Sequence, residues 1–83
     1  MAYKYRESVL GELARHGIIP RSDTPPEVVH DFVNDLYVYE IRRLREQMRE
    51  GFIRKDDYAN RVEELRKRYP VLSLPIGYWI ENE

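Results

Sequence analysis

The chain has 83 residues, 14 lysines and arginines against 15 aspartates and glutamates, two histidines and no cysteine. That composition excludes disulfide staples and a zinc site of ordinary make-up. A net charge of −1 argues against a dedicated binder of nucleic acid or of an anionic membrane. So short a chain is expected to form one domain over residues 1–83 with a thin stability margin.

The first segment, from Ala2 to His16, is predicted to be a helix. Tyr5, Val9, Leu10 and Leu13 recur at helical spacing. Arg15 and His16 place cations in its last turn, and Gly17 is suited to a left-handed C-terminal cap. Gly11, inside that helix, costs about 1 kcal/mol against alanine and implies close approach of another element. Ile18 to Asp23 reads as a connector that buries its isoleucines.

Thr24-Pro25-Pro26-Glu27 opens the dominant element. Threonine at the N-cap and glutamate three residues on form a capping box, and prolines are tolerated in a first turn. The helix is predicted to run from Pro25 to Glu50, ahead of Gly51. Between Val28 and Ile41, nine of fourteen residues are apolar, and they cover most of the circumference. A helix apolar on most sides is buried on most sides. From Arg42 onward the apolar set narrows to Leu44 and Met48. Acids cluster at the N-terminal end and arginines at the C-terminal end, which suits the helix dipole.

A third helix is predicted over Lys55–Tyr69, with Tyr58, Val62 and Leu65 facing Leu44 and Met48 in an antiparallel hairpin. Asp57–Arg61, Glu63–Lys67, Glu64–Arg68 and Arg42–Glu46 are spaced for ion pairs. Pro70 ends the helix. The apolar stretch that follows contains Ser73, Pro75 and Gly77. It is expected to be an extended tail over 70–83, lying on the helices or on a partner with Trp79 as anchor. It is too short to span a bilayer, and the Met1–Arg6 start lacks the apolar run of a signal peptide. A cytoplasmic location is the natural expectation.

The motifs of catalysis are missing. No serine sits in a glycine elbow, and no glycine loop is arranged to cradle phosphate. Glu27-Val28-Val29-His30 has the spacing of carboxylate-bridged metal sites, but Glu27 sits in the first turn and is claimed by the cap. The sequence therefore assigns no catalytic residue, metal or cofactor. The arginines Arg42, Arg45 and Arg49 share a helix face, and Arg66, Lys67 and Arg68 close the third helix. Together they make a basic strip for a nucleic-acid-binding regulator, with Tyr39 or Tyr69 for stacking. Interleaved glutamates weaken that reading.

The hairpin from Ile41 to Tyr69, about a third of the chain, resembles the short C-terminal helical hairpins called SHOCT domains. Gly51, Ile53, Asp56-Asp57 and Tyr58 fill their characteristic places, while Arg54 stands where a threonine cap is usual. The resemblance implies oligomerisation or tethering.

The sequence thus points to an all-α protein of three helices with an extended tail. The function expected is a non-catalytic interaction module that binds a second copy or another protein. A helix of about 26 residues measures roughly 39 Å, longer than a compact globule of this chain length is wide. Val28, Val29, Phe32, Val33, Leu36, Tyr37 and Trp79 are the residues predicted to form the core and a homodimer interface.

Overall fold

The computed structural model describes residues 2–81; the ends of the expected 1–83 domain and 70–83 tail, residues 1, 82 and 83, lie outside the described part. The protein is all-α. Helix α1 spans Glu7–Arg15, α2 Pro26–Arg49 and α3 Lys55–Arg68; a 3₁₀ turn at Pro70–Ser73 and a one-turn helix α4 at Ile76–Trp79 complete it.

Both glycine stops work as the sequence predicts. Gly17 and Gly51 take positive φ of 74° and 86°. Around Gly17, the Ile18 and Gly17 amides donate to the Leu13 and Ala14 carbonyls, both at 3.0 Å. Around Gly51, the Phe52 and Gly51 amides donate to the Gln47 and Met48 carbonyls at 2.9 and 3.1 Å. These crossed bonds are the Schellman arrangement, which needs a left-handed residue at its centre.

The start of α2 differs from the predicted capping box. Each residue before a proline is pushed out of the helical region. Pro25 precedes Pro26, so it is extended at φ −61° and ψ 138° and becomes the cap itself. Thr24 is displaced one position outward. Its hydroxyl accepts from the Arg21 amide at 3.2 Å and its own amide donates to the Arg21 carbonyl at 3.0 Å, closing a turn instead.

The first helix is also shorter than predicted. Residues 3–6 leave helical geometry: the Tyr3 amide donates to the Ser22 carbonyl at 2.6 Å, and residues 4–6 pair with the chain's far end. Tyr5 and Ile80 form an antiparallel bridge. The Arg6 amide donates to the Trp79 carbonyl at 2.9 Å, and the Glu81 amide to the Lys4 carbonyl at 2.7 Å. The Tyr-Lys-Tyr alternation suits a strand-like segment once a partner backbone is present. Gly11 does not admit a neighbouring helix: it is exposed, and an added Cβ would meet nothing within 4 Å. Ile18 packs on the core as predicted, but Ile19 is exposed.

The tail lies across the helices, yet it is less extended than predicted. Its prolines open turns rather than forbid them: Pro70 takes the first position of the 3₁₀ turn and Pro75 caps α4. Trp79, 0% exposed, sits in one core cluster with Val9 and Leu13 of α1, Val29 and Val33 of α2, and Leu65 of α3.

Helices α2 and α3 pack together over the hairpin, with Leu44 and Leu65 facing one shared groove. Ile53 and Tyr58, both half-buried, flank the start of α3 at the positions of a hydrophobic staple. The expected four-residue ion pairs do not form among the described residues; Glu63 pairs with Arg66 at 3.6 Å instead. The far end of the hairpin projects, so the molecule measures 50 × 18 × 16 Å with a radius of gyration of 15.2 Å. A globular chain of this length has about 12 Å. No helix among the described residues is long and apolar enough to cross a membrane.

Candidate interaction surface

Helix α2 sorts its apolar residues onto a core face and a neighbouring flank. At 100° per residue, Val29, Val33, Tyr37 and Leu44 fall on the side turned to α1, α3 and the tail. Val28, Phe32 and Tyr39 fall on a flank about 120° around the helix from that side. They are 59%, 54% and 60% exposed. Their positions, with Asp35 between, follow the 4-3-4 spacing of a heptad seam.

The seven residues predicted for core and interface therefore divide. Val29, Val33 and Trp79 are in the core, and Leu36 and Tyr37 are half-buried against it. Val28 and Phe32 are left outside, with Tyr39, one of the nine apolar residues of the 28–41 stretch but not among the seven, as a third member. Its register on α2 was the available signal. The stripe is flanked by charge of opposite sign at its two ends: Asp31 and Asp35 toward the N-terminus, Arg42 and Arg43 toward the C-terminus, all exposed.

The predicted basic strip is not assembled. Arg68 of α3 shares a groove with Arg43 and Arg61, together with Glu40 and Glu64. Arg66 and Lys67 line a different groove, with Tyr37 and Asn34 of α2. Arg42, Arg45 and Arg49 line neither. Tyr69 is not free to stack on a base. It is 6% exposed, its ring lies on that of His16, and its hydroxyl donates to Glu40. Burial, then that hydrogen bond and the Glu40 charge, push its pKa up to about 12. Tyr5 is raised as well, mainly by burial, and donates to the Thr24 carbonyl at 2.6 Å.

Glu27 and His30 sit in different surroundings. Glu27 is exposed, while the His30 ring is tilted against Trp79 with centroids 5.4 Å apart. No group of three His, Cys, Asp or Glu among the described residues is placed to hold a metal ion. Two other buried polar atoms, Glu12 Oε2 and Trp79 Nε1, have no hydrogen-bond partner among the described residues.

No protein-family model, no curated protein and no solved structure matches this chain.

Proposed function

We propose that the protein is a non-catalytic interaction module that pairs with a second copy of itself through the outer face of α2. The observation that carries this reading is the seam of Val28, Phe32 and Tyr39, exposed on a flank of a helix whose core face is already covered. Exposed apolar residues scattered singly are ordinary; three on one stripe of one helix form a contiguous surface of the kind that mates with another helix.

The charge pattern selects the occupant and its direction. With the two copies antiparallel, Asp31 of one helix lies toward the Arg42–Arg43 end of the other, while Asp35 falls near the two-fold axis. Phe32 then comes opposite Tyr39 of the second copy. A parallel pair would set Asp31, Asp35, Arg42 and Arg43 each beside its own copy, which costs more than the single Asp35 approach of the antiparallel pair. A two-fold axis across α2 gives a closed, self-complementary contact. The projecting hairpin, the elongated shape and the resemblance to tethering hairpins are in keeping with a part that joins copies rather than one that encloses a substrate.

Thermal unfolding tests the proposal. A dimer that unfolds to separated chains melts at higher temperature when more concentrated. The melting temperature of the wild type should rise over a hundredfold range of concentration, and that of Phe32→Glu should not. Concentration-independent melting of both proteins would remove the reading.

A further inference from the structure

The second of the two grooves has the make-up of a ligand site. It lies where α2, the end of α3 and the 3₁₀ turn meet, and is a half-open groove of about 480 Å³. Small-molecule sites commonly fall at roughly 300–1,000 Å³, with apolar walls and a few placed polar groups. Here the walls are the rings of Tyr37 and Tyr69, set edge to face at 5.4 Å, with Pro70 and Leu72.

The charged groups on its rim are all of one sign. Arg66 and Lys67 line it, and no carboxylate does. Arg66 is partly engaged by Glu63 at 3.6 Å, whereas Lys67 makes no ion pair among the described residues. Asn34 adds an amide donor. Ser73 adds none, because its hydroxyl proton is already given to the Pro70 carbonyl at 2.7 Å. The groove between α2 and α3 is different. It holds about 160 Å³, and its arginines share it with Glu40 and Glu64, so an entering anion would meet carboxylates already in place.

We infer that the Tyr37–Leu72 groove binds a small amphipathic anion: a flat apolar body bearing one carboxylate. The body lies against Tyr37, Pro70 and Leu72, with the carboxylate turned to Lys67, Arg66 and the Asn34 amide. A charged acceptor strengthens each of those hydrogen bonds, and a neutral ligand of the same shape forgoes that gain. The site is separate from the seam proposed for self-association, since Tyr37 and Asn34 lie on other sides of α2 than Phe32.

The experiment is an amide-resolved NMR titration of the full chain with 2-naphthoate and, in parallel, with the neutral 2-naphthalenemethanol. Shifts should concentrate on Tyr37, Lys67, Leu72 and Ser73, and naphthoate should bind about fivefold to tenfold tighter than the alcohol. Lys67→Gln, a change at an exposed position, should reduce that preference, while Arg45→Gln and Phe32→Glu should leave it intact. Equal binding of the two probes, shifts centred on Val28, Phe32 and Tyr39, or no saturable shift with either probe would each overturn the inference.

Discussion

The imidazole of His16 lies flat on the phenol ring of Tyr69, centroids 4.2 Å apart and planes 17° from parallel. The same imidazole bonds the Arg68 carbonyl through Nε2 at 2.7 Å. A carbonyl can only accept, so Nε2 carries the proton. One side chain from the end of α1 thus covers the core tyrosine and satisfies a carbonyl that the end of α3 leaves open. His16→Ala should cost about 1–2 kcal/mol, combining a lost aromatic contact with a lost hydrogen bond. Urea denaturation measures it; a loss of a few tenths would mean that α1 is held by Val9 and Leu13 alone.

Tyr69 makes stability depend on alkaline pH in a fixed direction. Its folded-state pKa is about 12 against an ordinary 10.0. Below pH 10 the phenol is neutral whether the chain is folded or not. Between 10 and 12 the unfolded chain sheds the proton and the folded chain keeps it, so stability falls as pH rises. Tyr69→Phe, compared with the wild type by denaturation at pH 8, 10, 11 and 12, should lose this component of the decline. Parallel curves for the two proteins would show that the phenol ionises as freely in the folded state.

Gly11→Ala should stabilise the chain by about 1 kcal/mol, because the helix gains a better former and the new methyl has open space. At Gly17 and Gly51 the same change should destabilise by about 1–2 kcal/mol, since both residues sit at positive φ. Melting temperatures of the three variants would separate these cases. A loss at Gly11 would mean that another surface approaches there.

How much of this was legible in the chain follows from how local each signal is. The glycine stops at Gly17 and Gly51, the long α2 and its pairing with α3 are written in short-range spacing, and they appear where that spacing puts them. The alkaline-sensitive contact is not so written: Glu40 and Tyr69 are 29 residues apart. The extended 4–6 segment is fixed by Trp79 and Ile80, at the other end of the chain, so helical periodicity through Tyr5, Val9 and Leu13 misplaces the helix start. The Pro25–Pro26 pair was read as permissive, although its second member forbids helical geometry at the first. Apolar content on most sides of α2 marked the right stretch for the candidate surface, but only packing separates Val29 and Val33 from Val28 and Phe32. The basic strip failed because residues that share a sequence neighbourhood diverge around a helix: Arg43, not Arg42 or Arg45, faces α3.

Asp35 stands in the middle of the proposed seam, and near the two-fold axis its carboxylate approaches that of the second copy. Asp35→Leu should therefore tighten self-association by about tenfold, as replacing a polar residue in a helical seam does. Dilution of a fluorescently labelled protein gives the dissociation constant. Weaker pairing in this variant would place Asp35 in an ion pair and require a different register.

Sedimentation equilibrium of the wild type and Phe32→Glu at micromolar concentration weighs the central claim most directly. Paired α2 seams predict twice the chain mass for the wild type and the single-chain mass for the variant, with both proteins equally helical. A wild type that sediments as one folded chain throughout, with Phe32 in open solvent, contradicts the account.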